Sequence, residues 1–160
     1  MTDQVTLTDD LRITGNENTY TTLFAANNNR HFFIDSGTPT LTLEWLNMTG
    51  GSTFNGGSII IIVEGHLNIT HCVFYNNSVV GAGDRHGGAI YAYHNNILIC
   101  LTNTKFIKNS AGYHGGAVFL QNGRLNSHNV QYTQNNAGDE GGGLCLYHVK
   151  PSTINNDLFT

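Results

Sequence analysis

The stretch that decides the fold runs Gly87-Gly88-Ala89-Ile90, then Phe106-Ile107-Lys108-Asn109, then Gly115-Gly116-Ala117-Val118. A glycine doublet before a small and an aliphatic residue returns after an aromatic residue that has Asn three positions on. Working outward, two more doublets stand at Gly56-Gly57-Ser58-Ile59 and Gly141-Gly142-Gly143-Leu144, so that the four copies start 31, 28 and 26 residues apart. The aromatic–Asn pair occurs as Phe74/Asn77, Phe106/Asn109 and Tyr132/Asn135, and Phe159 falls where a fourth is due. Doublet to aromatic is 18, 19, 17 and 18 residues; aromatic to the next doublet is 13, 9 and 9. Length variation therefore sits mostly in one loop, whose long copy is Val79 to His86. Stacked repeats whose insertions map to one side give this pattern.

Within each copy the apolar residues alternate. Ile59/Ile61, Ile90/Ala92, Val118/Leu120 and Leu144/Leu146 follow the doublets, a turn intervenes, and a second alternating run follows. That run is Leu67, Ile69, Cys72, Phe74 in one copy, Ile99, Leu101, Thr104, Phe106 in the next, and Leu125, Ser127, Val130, Tyr132 in the third. Period two means strands with one buried face. Short strands between turns, with no helical stretch for a crossover, suit an all-β parallel solenoid with one coil per repeat. Three expectations follow. Phe74, Phe106 and Tyr132 stack; Asn77, Asn109 and Asn135 pass amide hydrogen bonds from coil to coil as an asparagine ladder; and the doublet glycines supply positive φ and close backbone approach at a corner.

Residues 1–160 read as a single β-helix domain, with degenerate coils in 1–55 and clear repeats in 56–160. Leu41 to Gly51 is one degenerate coil, Val5 to Asn16 another, and Leu23-Phe24-Ala25-Ala26 and Phe32-Phe33-Ile34 are further strands. The count is about five coils. No secretory signal opens the sequence, and no polar cap follows Phe159; the expectation is a piece of a longer chain or an end covered by a partner.

Composition narrows the function. Charged residues are 11%, and Lys plus Arg is 7 against Asp plus Glu 11. Nucleic acid is excluded as a partner, since phosphate neutralisation needs clustered Lys/Arg. No apolar run approaches the roughly 20 residues of a membrane helix, so no transmembrane segment is expected. With 21 Asn, 19 Gly and 18 Thr, a helical protein is disfavoured. Cys72, Cys100 and Cys145 form no CxxC pair and read as buried thiols. No cofactor is called for.

The pairing of Gly87-Gly88-Ala89-Ile90 and Gly115-Gly116-Ala117-Val118 with Phe106-Ile107-Lys108-Asn109 resembles the repeat of the chlamydial polymorphic outer membrane proteins. Related repeats occur in surface adhesins of algae and large algal viruses. The likeness covers residues 56 to 145. It implies a right-handed parallel β-helix and a structural or adhesive role at a cell or virion surface.

Candidate sites follow from the register. Opposite in parity to the buried row are Ile60 and Ile62, Tyr91 and Tyr93, Phe119 and Gln121, Cys145 and Tyr147. Stacked, Ile60, Ile62, Tyr91, Tyr93, Phe119 and Tyr147 form an outward apolar and aromatic face, which marks contact with a protein or glycan, or lateral self-association. End-to-end self-association is the other mode. His86, His114 and Glu140 align just before successive doublets; this column is read as a polar loop edge, with no metal assigned. Asn47, Asn68 and Asn76 head N-glycosylation sequons. An enzymatic alternative, a polysaccharide lyase or glycoside hydrolase acting through loop carboxylates, needs paired acids or an acid with a basic group, and Asp84 and Asp139, on the loop side of coils two apart, are such a pair. No nucleophile-elbow, phosphate-loop or dinucleotide motif is present. The reading is a non-catalytic structural or adhesion module.

Overall fold

The computed structural model describes residues 3–26, 29–79, 81, 83 and 85–160. Among them there is no helix; all regular structure is short parallel strand. The chain winds through the same faces in the same order, coil after coil. The first face stacks Val5–Thr6, Phe32–Ile34, Ile59–Ile61, Ile90–Tyr93, Val118–Gln121 and Leu144–Tyr147. The second stacks Leu11–Thr14, Thr40–Glu44, Gly65–Thr70, Ile97–Thr102, Arg124–His128 and Thr153–Asn155. The third runs from Thr21–Phe24 through Leu46–Thr49, Val73–Tyr75, Lys105–Ile107 and Gln131–Thr133 to Leu158–Phe159. A narrower fourth face holds Ser52–Thr53, Ser78–Val79, Ser110–Ala111 and Asn136–Ala137. This is a parallel β-solenoid of six coils, with about 24 Å between its first and last strands at roughly 4.8 Å per step.

The sequence led us to expect about five coils. The two degenerate coils of the first third are both present, with Phe32–Ile34 opening the second and pairing with both Val5–Thr6 and Ile59–Ile61, and the four clear repeats bring the total to six. By that register Asn29 and Arg30 stand where later coils carry the glycine doublet, so the mark that identifies a coil is missing there. Leu144 to Phe159 also pairs as a further coil, in register with the one before it, and does not fold back over the end.

The predicted columns meet. Phe74, Phe106, Tyr132 and Phe159 pair in register and their rings stack at centroid separations of 4.9, 5.2 and 4.6 Å. Met48 continues the column below Phe74. The alternating aliphatic rows are buried from Leu41 and Leu43 to Leu125, in one continuous core. At the next corner Asn77 and Asn109 are fully buried. Asn109 Oδ1 accepts from the Asn77 backbone N–H (3.0 Å) and Nδ2 (3.1 Å), and its own Nδ2 donates to Phe74 O (3.0 Å) and Asn135 Oδ1 (2.9 Å). Asn135 repeats the pattern on Phe106 O, and Asn77 on Met48 O. The ladder begins at the Gly51 N–H, which donates to Asn77 Oδ1.

Each doublet glycine has a separate reason. The first, Gly56, Gly87, Gly115 and Gly141, has φ of 57, 66, 65 and 65°, a region that favours glycine. The second has ordinary φ but no room: a Cβ on Gly88 would lie 2.0 Å from Gly116 O, and one on Gly116 would lie 2.1 Å from Gly142 O. The corner between the second and third faces uses non-glycine residues in the same left-handed region: Tyr20, Trp45, His71, Asn103, Asn129 and Asn156. Their side chains make an outer column. Trp45 and His71 stack at 3.9 Å, and amides continue from Asn103 to His71, from Asn129 to Asn103 and from Asn156 to Asn129.

One ionisable group is enclosed near the second coil. His31 is fully buried, with Nε2 2.9 Å from Leu23 O and Nδ1 2.9 Å from Ser58 Oγ. Burial depresses its pKa to about 4, against the partly opposing hydrogen bond to Leu23. The neutral ring that donates from Nε2 to the carbonyl and accepts at Nδ1 from the serine satisfies both contacts.

Candidate functional site

The first face carries two outward rows. In one, Ile60, Tyr91, Phe119 and Cys145 pair strand to strand. Alternation turns them away from the core, as the sequence requires. They are nonetheless largely covered, because the first doublet glycine (Gly56, Gly115, Gly141) lies close against Ile60, Phe119 and Cys145, and the His86 loop folds back over Tyr91 and Phe119. The His86 ring lies 4.5 Å from Phe119 and 5.2 Å from His114, and Tyr91 and Phe119 stack at 5.6 Å. Phe119 is 3% exposed and Ile60 8%. These two are therefore corrected from open contact residues to residues beneath the loop, and Tyr91 is half-buried.

The second row, one step further along the strand, stays open. Tyr93, Gln121 and Tyr147 pair in register, and Ile62 follows Ile61, the partner of Ala92. Ile62 is 38% exposed, Tyr93 45% and Tyr147 47%. This strip of apolar and phenolic side chains at coil spacing is what remains of the predicted face.

The column before the doublets is tied coil to coil along its length, beginning with the Gly56 N–H donating to His86 O. The Gly87 N–H donates to His114 O and the Gly115 N–H to Glu140 O, which holds the successive loops one coil apart. Glu140 N donates to His114 Nδ1 at 3.4 Å. Cys145 joins them: one ligand atom each from His114, Glu140 and Cys145 lies within 4.8 Å of the other two. Burial, and then the Glu140 carboxylate, raises the Cys145 thiol pKa. The sequence reading placed His86 with His114 and Glu140 and missed Cys145. The available signal was that Cys145 occupies the outward row just beyond the doublet.

The remaining candidates separate. Asp84 lies outside the described residues. Asp139 is exposed, its N–H donating to Tyr113 O. Four shallow grooves on the described surface hold at most one carboxylate each, Glu64 in one and Asp10 in another. Asn47 and Asn68 are half-buried within the third and second faces, flanked by Thr22 and Val73 and by Thr42 and Cys100 respectively. Asn76 is exposed at a corner, with φ 53°. All three thiols are free; Cys72 is in the core, where burial pushes its pKa up to about 11, and Cys100 is half-buried on the second face.

One stretch of this geometry, from the corner before Phe74 to the end of the next first-face strand, carries the family comparison. Residues 71–93 match the model of the Chlamydia polymorphic membrane protein (Chlamydia_PMP) repeat. The polymorphic membrane protein repeat thus covers one aromatic–Asn pair, Phe74/Asn77, the long loop and one doublet, Gly87-Gly88. The other aromatic–Asn pairs and doublets take up the same register coil by coil. No curated protein and no solved structure matches the chain. Among the described residues, no helix is long and apolar enough to cross a membrane.

Proposed function

We propose that the chain is a non-catalytic surface module, a stiff solenoid spacer that meets a protein or glycan partner through the open strip of Ile62, Tyr93 and Tyr147. One observation carries the reading: apolar and phenolic side chains stand exposed in register on one face while the neighbouring aromatic row is covered by the chain's own loop. Aromatic residues with a polar tip supply large contact area at small entropic cost, and both proteins and sugars use it. The repeat it shares with the polymorphic membrane proteins supports a cell-surface or virion-surface setting. Lateral self-association would use the same strip. In a glycosylating host Asn76 is the most open of the three acceptors.

The test is a glycan array and a surface-protein capture screen with the whole chain, run beside hydrolysis and lyase assays on the same oligosaccharides. Binding without turnover, lost in Tyr93→Ser/Tyr147→Ser at unchanged melting temperature, supports the module. Turnover, or binding indifferent to both tyrosines, overturns it, and turnover would favour the carbohydrate-active alternative.

A further inference from the structure

The covered row changes chemistry at its last coil. In the coil at Val118–Gln121 the residue after the first aliphatic position is Phe119, and the His86 ring stacks on it. One coil on, the equivalent position is Cys145, the counterpart of His86 is His114, and Glu140 stands just before the doublet of the Cys145 strand. A contact between apolar ring and ring gives way to a thiol, a carboxylate and, from the preceding loop, the His114 imidazole.

We propose that His114, Glu140 and Cys145 bind one zinc ion, with water in the fourth position. Imidazole, carboxylate and thiolate together are a donor set that zinc takes in tetrahedral geometry. Ligand atoms on a tetrahedral zinc lie about 3.5 Å apart. The three atoms are within 4.8 Å of one another, so roughly 1 Å of side-chain rotation closes the set. Glu140 is exposed and its carboxylate can turn toward the other two, whereas His114 is held in place by the Glu140 N–H at its Nδ1 and by ring contacts with Tyr113 and His86. The backbone is already in place. The Gly115 N–H bond to Glu140 O pins the two loops, and a Cβ added to Gly141 would lie 2.9 Å from Cys145 Cβ, which shows how closely the turn after Glu140 lies on the thiol's strand. A cation here also removes a conflict. A carboxylate beside a buried thiol disfavours the thiolate, and a divalent ion between them favours both anions. The ion would fasten two successive loops and one strand, a staple between the last two coils.

The experiment uses the whole chain, reduced, stripped with chelator and titrated with Co²⁺ as a spectroscopic stand-in, then with Zn²⁺. The expected result is one Co²⁺ per chain with a thiolate-to-cobalt charge-transfer band in the near ultraviolet, displaced by Zn²⁺. Cys145→Ser should abolish the band and weaken zinc binding by about 100-fold or more. Zinc should raise the melting temperature of the wild type and not of that variant. A band that persists in Cys145→Ser places the metal on Cys72 or Cys100 and overturns the site, as does the absence of any band at saturating cobalt. Glu140→Gln alters an exposed side chain and serves if the cysteine variant does not fold. A loss of about 10-fold or more in zinc affinity supports the site, and unchanged affinity overturns it.

Discussion

Asn109→Ala isolates what the amide ladder contributes. The side chain takes part in four hydrogen bonds, two received from Asn77 and two donated to Phe74 O and Asn135 Oδ1, all between 2.9 and 3.1 Å. Three of the groups left behind keep or regain some partner: Asn77 Nδ2 still reaches Met48 O, Asn135 Oδ1 still receives the residue-109 backbone N–H, and a carbonyl has a second lone pair. The Asn77 backbone N–H does not, and it is buried. At about 1 kcal/mol net for each lost bond, with the orphaned donor at the upper end, the loss of stability is about 3–5 kcal/mol. In urea, with a slope of about 2 kcal/mol per molar, the midpoint should fall by about 2 M. Asn156→Ala, on the exposed outer column, is the comparison and should cost less than about 0.5 kcal/mol. Far-ultraviolet circular dichroism across a urea series reads both. A loss at position 109 below about 1 kcal/mol, or equal losses at 109 and 156, refutes the view that the inner ladder holds the coils in register.

Three further perturbations follow from the same geometry. The buried His31 titrates at about 4 when folded and near 6.5 when unfolded, so the unfolded chain binds the extra proton between those values; stability is full above pH 6.5 and declines by up to about 3 kcal/mol as pH falls toward 4. Urea midpoints at several pH values should show that slope in the wild type and lack it in His31→Gln, and parallel profiles would refute it. Gly88→Ala drives a Cβ to 2.0 Å from the Gly116 carbonyl and should cost several kcal/mol, whereas Gly112→Ala meets only Arg85 Cβ at 3.3 Å and Cγ at 3.7 Å, which a small shift relieves, and should cost about 1 kcal/mol or less; comparable thermal melts for the two would contradict the close-approach account. Tyr132 Oη is buried without a hydrogen-bond partner, so Tyr132→Phe, which keeps the ring stack and removes a desolvated hydroxyl, should raise stability by about 1 kcal/mol, measured by the same melts.

Most of the coil was legible because its marks are chemically narrow. Only glycine suits the left-handed turn followed by the 2.0 Å approach, the Asn amide donates and accepts at once along the ladder, and flat rings repeat visibly at Phe74, Phe106 and Tyr132. Where other chemistries fill the same place, the signal fades. Met48 holds the aromatic position and Asn29-Arg30 the doublet position, which is why the second coil reads as degenerate. The outer column mixes Trp45 and His71 with Asn103 and Asn129, alike in backbone conformation and unlike in side chain. The covering of Phe119 by His86 depends on the path of a loop, which leaves no period to read. Strand parity placed Ile62, Tyr93 and Tyr147 outward, but parity alone does not say which outward residues a loop will roof over. Cys145 was seen as a member of a row, and its meeting with His114 and Glu140 needs the third dimension.

Because the main-chain bonds on every face run parallel to the stacking axis, the molecule has a direction in which it yields. Tension applied between its two ends passes through the intercoil junctions in series, and a junction that gives way leaves its neighbours intact. Each event would release one turn of 26 to 31 residues, roughly 90–105 Å of extended chain. A single-molecule pulling trace should therefore rise and drop in a regular sawtooth, as in a ratchet rather than a rod that snaps once.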